Sequence, residues 1–229
     1  MESGPRTSAL VELYTSEGCS SCPPADQQLR KLREALDPGA DVVPLSLHVT
    51  YWNYIGWIDP FAQRAFDERQ RWLVRVNGQR TLYTPQFFVG GTELRSVRAG
   101  LREQVRRVNG MPAAAAVRLH AQVLPGQRLA LHASASARPG DSLALHVAIA
   151  ESGLVSRVTR GENADATLEH DHVVRAWIGP VPLGPEGASI RRDVSLAPGW
   201  KHENLEIAAF VQHERTGRVL QAVGGHCAG

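Results

Sequence analysis

Only three cysteines occur in the 229 residues: Cys19, Cys22 and Cys227. That is too few to staple a small scaffold with disulfides, so the fold must rest on a hydrophobic core. No apolar run approaches the ~18 residues that a membrane-spanning helix needs. An excess charge of one sign is lacking as well, since 25 basic and 23 acidic residues leave a net charge of +2. Without a basic run or stripe, there is no footprint of a nucleic-acid or anionic-membrane binder. The start of the chain, MESGPRTSALVELY, has no basic region followed by an apolar stretch, and predicts no secretory signal in this chain. Internal repeats and low-complexity segments are missing too. What is present is ordinary globular material, 43% hydrophobic and 21% charged, enough for one large domain or two modest ones.

The first half alternates strand and helix patterns. SALVELYT and DVVPLSLHV read as buried strands. Between them Ala25, Leu29, Leu32 and Leu36 recur at helical spacing, and Pro38-Gly39 ends that helix. Asp59-Pro60 predicts an N-cap and first turn for a helix that continues to Asn77-Gly78. TPQFFVGG and TELRSV predict two further strands, and Val97, Leu101, Val105 and Val108 predict a closing helix. Parallel βαβ units, a hairpin and a packed helix predict a compact α/β domain over residues 1–110.

From Met111-Pro112 onward the period changes to two. Val117, Leu119, Ala121 and Val123 share a face, as do Leu129, Leu131, Ala133 and Ala135, and then Leu143, Leu145, Val147 and Ile149. Turn signals at Pro125-Gly126, Pro139-Gly140, Pro198-Gly199 and Thr216-Gly217 separate such runs. This pattern predicts an all-β, sandwich-like domain over residues 111–229.

Cys19 and Cys22 fall between the first strand and the first helix. Three chemistries use such a pair: a redox-active dithiol, a structural disulfide, or half of a zinc site. Zinc needs four ligands, and no second Cys-x-x-Cys is present; the adjacent His226 and Cys227 make a poor completion. The redox reading places Cys19 at the helix N-terminus, where free N–H groups and the helix dipole favour a thiolate. Thr84-Pro85 enters the third strand; its proline is either an ordinary strand start or a cis proline facing the cysteines.

Residues 8–110, with LVELYTSEGCSSC and YTPQFFVGG, resemble the thioredoxin-like superfamily. More narrowly, ELYTSEGCSSCPPAD, HVTYWNYIGWIDPFA, YTPQFFVGG and RGENADATLEHDHVVRA resemble the bacterial DUF1223 family of unknown function. That resemblance implies a thioredoxin-like α/β domain with an appended β-rich domain, often in exported proteins. It implies Cys19 as nucleophile, Cys22 as resolving thiol, and Pro85 as the cis proline preceded by Thr84. It offers Glu12 as a buried carboxylate under the dithiol, after allowing one extra residue before Cys19. Ser20-Ser21 departs from the dipeptides of better-known oxidoreductases, and Gly18 stands where thioredoxin has tryptophan. The expected activity is thiol–disulfide exchange with a protein or small-molecule partner, requiring no cofactor and no metal. The alternative is a non-catalytic binding scaffold whose disulfide is structural.

The chain is only 6% aromatic, yet Tyr51, Trp52, Tyr54, Trp57 and Phe61 crowd one loop. They form either a packed plug or, through Trp52, Tyr54 and Trp57, a binding wall beside the dithiol. His48 closes the second strand, as a hydrogen-bonded core histidine or a group tuning the thiolate. His120, His132 and His146 are expected on outward strand faces. His170 and His172, two apart, are expected to share a strand face without an identifiable third metal ligand.

Overall fold

The computed structural model describes residues 1–95, 97–138 and 142–227, with the backbone alone at 97–99. β1 (Ala9–Thr15) is buried along its whole length and leads through the cysteine loop into α1 (Pro23–Arg30) and α2 (Leu32–Ala35). β2 (Val42–His48), α3 (Arg64–Val76), β3 (Gln86–Val89), β4 (Thr92–Leu94) and α4 (Val97–Asn109) follow. Then come β5 (Ala115–Leu124), β6 (Arg128–Ala137), β7 (Leu143–Glu151), β8 (Leu154–Arg157) and β9 (Thr167–His170). The last four strands are β10 (Val173–Pro182), β11 (Ala188–Ser195), β12 (Leu205–His213) and β13 (Val219–His226).

The expectation of a thioredoxin-like α/β domain followed by an all-β domain is overturned. The protein is mostly strand, 45% against 19% helix. Its centre is one mixed eight-stranded sheet in the order β13-β12-β7-β10-β2-β1-β3-β4. β1 and β2 run parallel, β3 returns antiparallel to β1, and β10 joins β2 through the Val173–Ser46 pairing. The Ser46 N–H donates to the His172 carbonyl at 2.8 Å, so the sheet crosses from one half of the chain into the other. Alternation of residues reveals which face of a strand is buried, not which strand lies beside it, and that is why the shared sheet escaped the sequence reading.

Three cores follow from this sheet. On one side Val11, Leu13 and Phe87 pack with Leu29, Leu32, Leu101 and Val105 of the helices. On the other, Leu10, Tyr14, Leu45 and Leu47 meet Phe66 and Leu73 of α3, together with Ala148, Val174 and Phe210. A second sheet, β11-β6-β5, lays Val117, Leu119, Leu129 and Leu131 over Leu145, Val147, Ile149 and Ile207. β8 and β9 form a hairpin of their own.

Several local expectations shift. The first helix breaks at Lys31 (φ −92°, ψ 15°), although Ala25, Leu29, Leu32 and Leu36 stay on its buried side. α3 starts at Arg64 rather than at Asp59-Pro60: Asp59 Oδ1 caps only a turn through the Phe61 N–H, and Oδ2 is taken by Glu17 and His48. β4 ends at Leu94, and Ser96 of the expected strand, like the Pro139-Gly140 turn, lies outside the described residues. His120 is exposed and His132 half-buried, as outward positions should be, but His146 is buried. β7 lies in the middle of the sheet, so its alanine face is covered too, and His146 stacks on Phe210 there.

Candidate functional site

The loop from Ser16 to Cys22 carries the site. Cys19 and Cys22 form a disulfide with a Cα–Cα distance of 5.4 Å. The Cys22 N–H donates to the Cys19 carbonyl at 3.1 Å, closing a turn directly before α1. Cys22 rather than Cys19 is the N-cap residue; its carbonyl accepts from the Ala25 and Asp26 N–H groups. Pro23 occupies the first helical position, where the lost N–H had no partner to give up. Both cysteines are buried, at 1% and 0% exposure, while Ser20 and Ser21 between them are exposed.

The Thr84-Pro85 peptide is cis, and the Thr84 carbonyl lies 3.8 Å from Cys19 Sγ. Ser21 Oγ is 3.3 Å from the same sulfur. The Trp52 indole donates to Thr84 Oγ1 at 2.7 Å, and Tyr54, 82% exposed, stacks on Trp52. Trp57 donates to Glu17 Oε2 at 2.7 Å. The loop packs this closely because position 18 is glycine: a Cβ there would lie 3.1 Å from both Ile55 Cδ1 and Trp52 Cβ.

Beneath the loop lies a group of ionisable side chains drawn from five segments; Glu17, His48, Asp59 and His170 are buried and Asp26 is half-buried. His48 Nδ1 is 2.8 Å from Asp59 Oδ2, which also accepts the Glu17 N–H at 2.9 Å. His170 Nε2 is 3.0 Å from Glu17 Oε1, and the His48 and His170 rings meet edge to face at 5.0 Å. Burial opposes a charge on His48, but the Asp59 carboxylate outweighs it and holds the histidine above its ordinary value. Asp59 is correspondingly lowered: its burial is outweighed by His48 and by two backbone N–H groups. Asp26, on the first turn of α1, is pushed up to about 6 by burial, against the partial relief of His48 and His170. Asp26 Oδ1, His48 Nε2 and His170 Nδ1 are buried without a hydrogen-bond partner among the described residues. A cleft of about 410 Å³ between α1 and β9 reaches Asp26 and His170 from solvent, with Gln27, Arg30 and Glu169 along its walls.

Glu12 lies elsewhere. It shares the Leu10 and Tyr14 face of β1, where its Oε1 accepts from Arg69 Nε at 2.7 Å and from Tyr14 at 3.2 Å. His170 and His172 do not share a strand face, because His172 turns out of the strand with φ 59° and pairs with Glu206 at 2.9 Å. Cys227 is free and half-buried against the β-sheet core, and burial raises its thiol to about 11. Among the described residues no group of three His, Cys, Asp or Glu side chains is arranged to hold a metal ion. No described helix is long and apolar enough to cross a membrane.

The sequence reading missed Asp26 and Glu17, gave Asp59 only a capping role and His170 only a strand face, and missed Asn163, whose side chain donates to the Glu17 and Cys19 carbonyls at 2.8 and 3.0 Å. The available signal was the stretch RGENADATLEHDH, distinctive in composition but without an assigned place.

Fold and site together define a class: a strand-rich protein with a Cys-x-x-Cys disulfide at a strand-helix corner, closed by an aromatic loop and a distant hairpin. The chain belongs to the family described as protein of unknown function (DUF1223), whose model matches residues 10–212. Among solved structures it is similar to protein AGR_C_4864 from Agrobacterium tumefaciens, with 26% identity and a TM-score of 0.66 over 98% of this chain and 96% of that one. HBP35 of Porphyromonas gingivalis shares the fold with a TM-score of 0.73 at 16% identity, over 98% of this chain and 76% of that one. Comparison with curated proteins found no match.

Proposed function

We propose that this protein is a thiol–disulfide oxidoreductase working through Cys19 and Cys22 on a protein or small-molecule partner. In the reduced form, Cys19 as thiolate attacks one sulfur of a partner disulfide, forming a mixed disulfide and expelling the other partner sulfur as thiolate. Cys22 as thiolate then attacks Cys19 Sγ, restoring the intramolecular disulfide and expelling the second partner thiolate. The two protons released by the cysteines end on the two partner thiols, so the protein dithiol is oxidised and the partner disulfide reduced.

The observation that carries this reading is the ionisable group behind the disulfide. Asp26 follows Cys22 by four residues, a spacing that sets two Cβ atoms roughly 5–6 Å apart on one helix face. Its carboxyl, raised to about 6, changes protonation near neutral pH and suits a group that takes the proton of Cys22. A disulfide that merely staples a corner has no use for a carboxyl at that position with one buried oxygen lacking a hydrogen-bond partner, and such burial is costly. Thr84 and Trp52 lie beside Cys19 and offer a backbone carbonyl and an aromatic surface to a partner that approaches its sulfur.

A second reading, a scaffold with a structural disulfide, is favoured by the near-zero exposure of both cysteines. Cys22→Ser separates the two. Exchange requires partners to accumulate on Cys19 as mixed disulfides, released by reductant and lost in the Cys19→Ser/Cys22→Ser double variant. A Cys19 that stays a free thiol in an oxidising compartment sinks the oxidoreductase and leaves the scaffold.

A further inference from the structure

We infer that the β8–β9 hairpin is a latch holding the dithiol loop shut, with Asn163 and Glu162 as positioning residues that act through the loop backbone. The latch bears on the regulation of the same site, and its use as a gate rests on the exchange reading above.

The hairpin is a two-stranded sheet separate from the other two, and its turn reaches back across the chain to the cysteine loop. Asn163 Nδ2 donates to the Glu17 carbonyl at 2.8 Å and to the Cys19 carbonyl at 3.0 Å. The Ser20 N–H donates to Glu162 Oε2 at 2.9 Å. Two peptide units of the loop, Glu17–Gly18 and Cys19–Ser20, on both sides of Cys19, are therefore held by two adjacent hairpin side chains. Gly161 presses the turn onto the aromatic loop; with φ +80° and Ile55 Cδ1 2.8 Å from where a Cβ would stand, no larger residue sits there without displacing it. On β9 and just after it, Arg30 of α1 pairs with Glu169 and with Asp171, the latter at 3.0 Å, while His170 reaches inward to Glu17.

The consequence concerns access. Exchange needs a thiolate to approach a sulfur along the S–S axis, and both cysteines are covered in this state. An isolated two-stranded hairpin is marginal in water, so this one owes its position to these contacts and opens at lower free energy than the main sheet. Reduction then proceeds from the opened state, and each contact to the loop slows it.

The test uses the full, oxidised chain and measures the rate at which excess dithiothreitol reduces the Cys19–Cys22 disulfide under native conditions. Asn163→Ala removes both donors, and Asn163→Asp removes them while keeping the side chain's size. Each is expected to reduce about tenfold faster than wild type, the change that fits the loss of two neutral hydrogen bonds. Hydrogen exchange at the Ser20 amide should accelerate in parallel. Wild-type reduction rates in both variants, with native exchange retained in β1 and β7, overturn the latch. Should both Asn163 variants misfold, Glu162→Gln at the exposed surface decides. A rate roughly two- to threefold higher, the loss of a charge-assisted bond partly replaced by a neutral one, supports the latch, and an unchanged rate overturns it. Dithiothreitol reports closure whether or not a natural partner exists. Failure to trap partners with Cys22→Ser therefore removes the exchange reading alone, while unchanged reduction rates in the hairpin variants remove this inference alone.

Discussion

Asp26 sits where a helix N-terminus favours a negative charge, yet burial still keeps its carboxyl protonated up to about pH 6. The sign of its effect on stability follows. A group whose folded value is raised stabilises the fold fully below its unfolded value of 3.8, and loses that contribution as pH climbs through about 6. A rise from 3.8 to about 6 corresponds to at most about 3 kcal/mol. Asp26→Asn should therefore raise the urea-unfolding free energy by up to that amount at pH 8 and change it little at pH 4. Equal effects at both pH values would show that no charge is buried there. The same variant should slow resolution of a mixed disulfide by about tenfold or more above pH 6, read by quenched single-turnover exchange. At this scale the sequence was partly legible. Cys19 and Cys22 stood out because covalent chemistry ties cysteines to a short spacing, whereas Thr84-Pro85 read equally as a strand start and only the family resemblance set it opposite them. Asp26 did not stand out, since an acidic residue in the first turn of a helix is ordinary, and only its distant neighbours His48 and His170 make it unusual.

At the scale of elements, β1 divides two chemistries by the alternation of its side chains. Val11 and Leu13 face the helices α1 and α4, while Leu10, Glu12 and Tyr14 face α3. Glu12 is thereby given to Arg69, which also lies over the Trp177 ring at 4.3 Å and donates to Gln212 at 3.0 Å. This buried pair fastens α3 to the sheet; its removal from one side strands a charge. Glu12→Gln should cost roughly 3–5 kcal/mol in chemical denaturation, the range for breaking a buried ion pair. In the protein that remains folded, the rate of reduction by dithiothreitol should stay within about twofold of wild type, because the loss of Glu12's charge changes a different face of β1 from the dithiol loop. A Glu12→Gln rate with a displaced pH profile would return this carboxylate to the role its sequence position suggested. The helix start at Arg64 teaches the same lesson: Asp59-Pro60 has the residues of a cap, but Glu17, His48 and Phe61 claim the Asp59 oxygens first. The Phe61 bond is the local, cap-like one, while Glu17 and His48 take the other oxygen through tertiary bonds of which the sequence contains no mark.

On the scale of the whole molecule, β1 to β7 were legible from period-two and buried-run patterns, but β8 to β11 were not, and neither was the partnership of the strands. β10 lies between β2 and β7, and nothing in VVRAWIGPVP states that its start pairs with a strand some 130 residues upstream. The site depends on that connection. β9 and β10 are separated by only Asp171 and His172, so the pairing of Val173 with Ser46 and the Ser46 bond to His172 anchor the hairpin that carries His170 and Asn163 to the cysteine loop. The core on the α3 side likewise draws Ala148, Ala150, Val174 and Phe210 from beyond residue 110. A fragment of residues 1–110 would leave the β2 edge unpaired and expose Leu10, Leu45, Leu47 and Phe66, each contributing about 1.5–3 kcal/mol when buried. The expected outcome is a fragment without a cooperative thermal transition, whose Cys19–Cys22 disulfide reduces as fast as one in an unfolded peptide. Co-expression with residues 111–229 should restore both the transition and slow reduction, because the missing strands and the latch return together. A fragment that melts cooperatively alone, with its disulfide still protected, would show that the cysteine corner is closed by its own half of the chain and that the shared sheet is not what shields it.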